Sequence, residues 1–143
     1  MQIKNFNQID LTRVVKKVDL IIPAQTAKLG PPVGPVLGQV KIKVKDFCTM
    51  FNDGTWKFKI GLPLRVVVFV FKNEIFNFLI RTPSTSFLLK NAIKLNKSEG
   101  LSLVDLYKIA TIKKLDFPHL SLQSIFKSIL VTARSSKFKI IIK

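Results

Sequence analysis

Apolar positions fall mainly in strand-like runs before residue 82 and at helical spacing after it. Residues 14–22 are mostly β-branched and apolar, with Lys16, Lys17 and Asp19 among them, and Pro23 ends the run, which predicts a strand. Residues 64–71 and 75–80, rich in Val, Phe and Ile and separated by Lys72-Asn73-Glu74, predict a hairpin, the clearest β element of the chain. Val40-Lys41-Ile42-Lys43-Val44-Lys45 alternates strictly and predicts another strand with one lysine face. Asp46-Phe47-Cys48-Thr49-Met50-Phe51 reads as helical before an Asn52-Asp53-Gly54 turn. In Gly30-Pro31-Pro32-Val33-Gly34-Pro35-Val36-Leu37-Gly38 most residues are Pro or Gly, which predicts a stiff, mostly non-helical segment with φ fixed at three positions.

Thr82-Pro83 breaks the strand rhythm, and helical periodicity holds from there to the last six residues. Ser86 or Thr85 is the predicted cap of a first helix with Leu88, Leu89, Ala92 and Ile93 on one face. Ser102 with Asp105 three residues on resembles a capping box for a second helix carrying Leu103, Leu106, Tyr107 and Ala110. After Pro118, with Ser121 as cap, Leu122, Ile125, Phe126, Ile129, Leu130 and Ala133 form a complete apolar stripe opposite Gln123, Ser124, Lys127, Thr132, Arg134 and Ser135. The expected fold class is α+β: an N-terminal part with a small sheet and a three-helix C-terminal part, with the domain boundary at Thr82-Pro83.

Composition narrows what such a fold does. Hydrophobic residues make up 48% of the 143, with 12 Phe, enough for a core and against dominant disorder. Twenty-four Lys+Arg against 8 Asp+Glu give a net charge of +16, which attracts polyanions; 13 basic and 5 acidic residues precede Thr82 and 11 and 3 follow, so the charge is spread over both parts. One Cys and one His exclude an internal disulfide and a structural metal set. The longest apolar run, 66–71, is far short of the roughly 20 residues that span a bilayer, and Arg65 and Lys72 flank it. Residues 1–9 resemble neither a secretory signal nor a transit peptide, so the chain is expected to be made where it works or to be already processed.

No catalytic constellation is visible. The acids are scattered, His119 lies beside a helix start as a surface residue, and Cys48 sits in a Phe-rich stretch as a small core residue. No enzyme activity, cofactor or metal is expected. The Gly/Pro segment is no phosphate loop, because three prolines remove three N–H donors and the following Lys-Ser/Thr is missing. Pro31, Pro32 and Pro35 read instead as a rigid apolar ridge that docks another molecule at low entropic cost, the alternative being a purely structural turn. With no zinc finger, basic zipper or ribonucleoprotein aromatic signature, the charge points to a compact, helix-presented surface for folded RNA, on which Thr82, Ser84, Thr132 and Arg134 suit phosphates and 2′-hydroxyls. The alternative is a free basic module bound to RNA or to an acidic membrane surface outside any large assembly.

Ile21-Ile22-Pro23-Ala24, Pro31-Pro32-Val33-Gly34-Pro35-Val36-Leu37-Gly38-Gln39, Asp46-Phe47-Cys48, Phe51-Asn52, Gly61-Leu62-Pro63, Arg81-Thr82-Pro83, Leu88-Leu89-Lys90 and Thr132-Ala133-Arg134-Ser135 stand in the order and spacing of one family. The chain resembles large-ribosomal-subunit protein eleven from about residue 19 to residue 137. The resemblance implies an N-terminal α/β domain over 1–81, a hinge at 82–85 and a three-helix domain over 86–143 that binds large-subunit ribosomal RNA at the GTPase-associated centre. It implies RNA contacts at Thr82, Pro83, Ser84, Lys90, Lys97, Thr132, Arg134 and Ser135. Pro31, Pro32, Pro35, Gly38 and Gln39 would face translational factors and thiostrepton-class antibiotics. The implied partners are ribosomal RNA, the stalk-base ribosomal protein and stalk, elongation factor G and other translational GTPases; no membrane and no second copy of the chain is expected.

The departures from the family pattern carry their own expectations. Where the family has a Gln-Gly-Val-Asn lead into a helix this chain has Val40, Lys41, Ile42 and Lys43, so the resemblance favours a helix or its lead-in over the strand. The family glycine before Thr132 is Val131, the RNA-ordered loop is cut to 95–100, and Thr49 stands where many bacterial members carry a methylated lysine. Composition bears on location: 20 Lys against 4 Arg, and 16 Ile and 7 Asn against 5 Ala, is a bias toward AU-rich codons that RNA binding does not demand, since Arg is the better bidentate ligand. This points to an organellar ribosome, the mitochondrial one first, with a plastid or the cytoplasm of a bacterium of AT-rich genome as alternatives.

Overall fold

The β-branched and aromatic runs of the first part form the expected strands in a computed structural model that describes residues 11–97 and 99–142 and divides into two units, residues 1–81 and 82–143. In the first unit β1 (Val14–Pro23), β2 (Pro63–Phe71) and β3 (Phe76–Arg81) make an antiparallel sheet in that order. The register sets Ile22 opposite Leu64, Leu20 opposite Val66 and Val68 opposite Phe78. Alternate residues share a sheet face, so this register puts Leu20, Ile22, Leu64, Val66, Val68, Val70 and Phe78 into one core with α1 (Val33–Gln39) and α2 (Val44–Gly54). Val67 and Phe69 form a smaller cluster of their own with Val14, Phe71 and Leu79. The hairpin loop Lys72–Glu74 is a 3₁₀ turn.

Two expectations for this unit are corrected. The stretch 30–38 is not mostly non-helical, because α1 begins at Val33. Pro32 caps it and Pro35 is its third residue, where a backbone N–H has no helical acceptor in any case, so neither ring costs a hydrogen bond. The alternating stretch 40–45 is not a strand. Lys41 takes φ 57°, its N–H and those of Val40 and Ile42 return to carbonyls of Gly38 and Leu37, and Val44 already starts α2. Its alternation reflects three apolar side chains, Val40, Ile42 and Val44, turned onto the core from a tight interhelical turn. In α2, Val44, Phe47, Cys48 and Phe51 recur at helical spacing, and the last three are buried.

The second unit packs α3 (Thr85–Asn96), α4 (Leu103–Lys113) and α5 (Leu122–Ser135) around Leu89, Leu101, Leu106, Ile109, Ala110, Ile125, Ile129 and Ala133. The predicted α5 stripe and the Ser121 cap are present, the Ser121 hydroxyl accepting from the Ser124 N–H at 3.2 Å. The Ser102–Asp105 capping box of α4 closes in both directions, at 3.1 Å each way. The cap of α3 is Ser84, not Thr85 or Ser86, and accepts from Phe87 N–H at 3.3 Å. The buried side of α4 is Leu106, Ile109, Ala110 and Lys113, whereas Leu103 and Tyr107 are exposed. β4 (Leu101–Ser102) pairs in parallel with β5 (Ile140–Ile141), which brings the Lys139 carbonyl so close to Gly100 that a Cβ there would lie 2.6 Å from its oxygen. Gly100 is required for that closure.

Residues 82–85, expected as a hinge, are fastened to the second unit. Thr82 is buried, its N–H and hydroxyl both donating to Asp116, and Thr85 opens α3. The chain is thus a mixed α/β protein with a small antiparallel sheet; the described residues form five α-helices, none of them long and apolar enough to cross a membrane.

Candidate nucleic-acid interface

The three-helix unit needs a fixed starting point, and a buried polar network supplies it. Asp116, immediately before Phe117-Pro118, accepts from Thr82 N–H at 3.0 Å and from the Thr82 hydroxyl at 2.6 Å. Lys113, on the inner face of α4, donates to the Pro83 carbonyl at 2.7 Å and lies 3.6 Å from Asp116. Both charged side chains are about nine-tenths buried, so each depends on the other for solvation. Thr82 and Pro83 are buried, with the Thr82 hydroxyl proton and the Pro83 carbonyl engaged inside the unit, where they place the start of α3. Neither Asp116 nor Lys113 stands out in the sequence as a member of such a network. The available signal is their i, i+3 spacing at the end of the α4 stripe.

The α5 stripe turns the opposite side of that helix outward. Ser124, Lys127, Ser128, Val131, Arg134 and Ser135 recur at three- and four-residue spacing there and are exposed, and Thr132 is half-buried beside them. The hydroxyls of Ser128, Thr132 and Ser135 donate to the carbonyls of Ser124, Ser128 and Thr132 at 3.0, 2.9 and 3.0 Å. With their protons turned back onto the helix, these oxygens present lone pairs, which suits a 2′-hydroxyl donor. Phosphate oxygens need donors, and on this face Lys127 and Arg134 have them. Ser84 and Lys90 are exposed on α3, and Lys97 is exposed at its C-terminal cap with φ 48°. Val131, 64% exposed, puts an apolar branched side chain in the middle of the α5 face.

Partial burial would raise the Asp105 carboxyl, but hydrogen bonds from the Ser102 hydroxyl, the Ser102 N–H and Asn96, with the charge of Lys108, hold it below its ordinary value. Lys114 is taken up by the carbonyls of Pro118 and Leu120, and Lys139 meets Glu99 at 3.8 Å in an exposed pair of little energetic weight.

In the first unit the ridge is built on α1. Val33 and Leu37 anchor that helix to the core, four residues apart. Pro31, Pro32, Pro35, Gly38 and Gln39 are all exposed, and Pro35, Gly38 and Gln39 fall at the i, i+3, i+4 spacing of one helix face. Gly34 has no room for a side chain, because a Cβ would collide with the Leu29 carbonyl oxygen. Cys48, expected as a core residue, is buried, and burial pushes its thiol up. Among the described residues no three His, Cys, Asp or Glu side chains cluster to hold a metal ion.

Residues 18–76 match the family model described as Ribosomal protein L11, N-terminal domain. Residues 81–136 match the one described as Ribosomal protein L11, RNA binding domain.

Proposed function

Because the chain belongs to the ribosomal protein L11 family, whose members are structural RNA-binding proteins of the large subunit, we propose that it forms the stalk base at the GTPase-associated centre. In this reading the helical unit holds large-subunit ribosomal RNA. The proline ridge of the other unit meets elongation factor G and further translational GTPases, next to the stalk-base ribosomal protein and the stalk.

The observation that carries the reading is the outward face of α5, where Lys127 and Arg134 supply donors between hydroxyls whose lone pairs point out. Arg134→Ala should weaken binding to the cognate ribosomal RNA fragment by about 1–3 kcal/mol, as for charge-assisted hydrogen bonds. The slope of log K against log salt should fall by roughly 0.7–0.9 for each phosphate that the variant no longer neutralises. An unchanged affinity and slope in filter binding would remove Arg134 from the interface.

The ridge makes a separate claim. Pro32 is exposed and outside the helical unit, so Pro32→Ser should leave RNA affinity near the parent value while reducing thiostrepton-class inhibition of factor-dependent GTP hydrolysis. Equal loss of RNA binding would put the ridge in the primary RNA interface instead. As host we propose an organellar ribosome, the mitochondrial one before a plastid or bacterial one, supported by 20 Lys against 4 Arg. The genome that encodes the chain decides this.

A further inference from the structure

At the end of the first unit where β1 leaves the sheet and β2 enters it, loops 24–32 and 55–62 are joined by a dense set of hydrogen bonds. Ala24 N–H donates to the Leu62 carbonyl at 2.8 Å and Gly61 N–H to the Ala24 carbonyl at 3.1 Å. Gln25, at φ 60°, donates its backbone N–H to Thr55 Oγ1 at 3.0 Å and its side-chain amide to the carbonyls of Trp56 and Phe58 at 3.2 and 2.7 Å. Asn52 reaches from α2 to both polar groups of Ala27, at 2.9 and 3.2 Å. Thr55, wholly buried, returns its hydroxyl proton to the Phe51 carbonyl at 2.9 Å.

This framework holds a tip several of whose side chains do not serve the core. Phe58 packs inward, but Trp56 and Ile60 are each 68% exposed, with exposed Lys57 and Lys59 alternating between them. Lys57 Nζ lies 5.3 Å from the centre of the Trp56 ring. Among the described residues no carboxylate pairs with Lys57 or Lys59. Trp56 is the only tryptophan of the chain. A ring two-thirds exposed to water gains little for folding, and the hydrogen-bonded loop backbone lowers the entropic cost of ordering it on a ligand. An aromatic plane with a cation beside it and lysines along the same tip has the chemistry of single-stranded RNA binding, in which a base stacks and its phosphates meet the ammonium groups. A lipid surface would want a continuous apolar tip, and the two lysines interrupt this one.

We propose that Trp56 is a stacking platform for an unpaired RNA base, with Lys57 and Lys59 as its phosphate partners, giving the first unit an RNA-binding site of its own. The proposal goes beyond the helical interface and is independent of the factor-facing role of the ridge.

The full chain titrated with single-stranded oligoadenylate should show saturable quenching of Trp56 fluorescence. Trp56→Ala, read by anisotropy of the labelled oligonucleotide, should weaken binding about tenfold, while Trp56→Phe keeps most of it. Lys57→Ala and Lys59→Ala should each lower the salt slope by roughly 0.7. Quenching reads the Trp56 tip alone, because Trp56 is the only tryptophan of the chain, and binding of the ribosomal RNA fragment reads the helical unit, so that failure of the platform and failure of the helical interface are distinguished. Absence of quenching, or a Trp56→Ala chain that binds as the parent does, overturns the proposal. So does a Trp56 response to phosphatidylserine vesicles or polyglutamate that exceeds the response to RNA, which would give the tip to a lipid or to an acidic protein.

Discussion

Asp116→Ala is expected to destabilise the helical unit by about 3–5 kcal/mol, the range for removing one partner of a buried ion pair. The loss is large because two donors of Thr82 lose their acceptor while Lys113 loses its carboxylate. Lys113 keeps its charge in a site that is nine-tenths buried. Asp116→Asn should cost less, since the amide oxygen still accepts from Thr82. Adding Lys113→Met to Asp116→Ala should recover part of the loss by taking the uncompensated charge out of the interior. Urea unfolding followed by far-ultraviolet circular dichroism reads the effect, with Trp56 emission as a control from the other unit. A change below about 1 kcal/mol would show that water reaches the pair. RNA affinity should fall in step, because Thr82 and Pro83 set where the Ser84 cap and α3 begin.

Phe47→Ala should cost the first unit about 3–5 kcal/mol. Its ring is fully buried and links α2 to the sheet, with ring centres 6.0 Å from Phe51, 6.1 Å from Phe76 and 5.3 Å from Phe78, the last edge-on. Four aromatic rings meeting at one point leave little freedom to collapse into the space vacated, which puts the cost at the upper end for large-to-small changes. Thermal unfolding followed by Trp56 emission measures it. Binding of the ribosomal RNA fragment through the helical unit should persist at temperatures where the first unit has melted.

The elements read correctly from sequence are those whose period repeats: β1, the hairpin and above all α5, where six apolar positions agree. The misread ones are short, and there the backbone answers to a neighbour. Val40, Ile42 and Val44 alternate because a turn held by Gly38 and Leu37 carbonyls points all three at the core, and two-residue periodicity cannot tell that from a strand. Pro32 and Pro35 look like helix breakers, yet at a helix start their missing N–H groups are not needed. On α4 the sequence shows Leu103 and Tyr107 as candidates for the inner face, but Ile109 and Lys113 occupy it, Lys113 because Asp116 and the Pro83 carbonyl satisfy its charge. The ridge residues and the polar face of α5 are legible as types and spacing. The tie of Thr82 to Asp116 is not, since the two are far apart in the chain and only the fold brings residue 116 beside it.

Cys48 gives the molecule a built-in clock. It is the only thiol in the chain, it lies on the inner side of α2 with burial raising its pKa, and so it is both shielded and mostly protonated at neutral pH. An alkylating reagent can reach it only when the first unit opens, so the labelling rate counts openings of that unit alone. Because the helical unit contributes no competing sulfhydryl, the count can be taken with RNA bound and would show whether a ligand on the ridge or at the Trp56 tip slows the breathing of the domain that carries it.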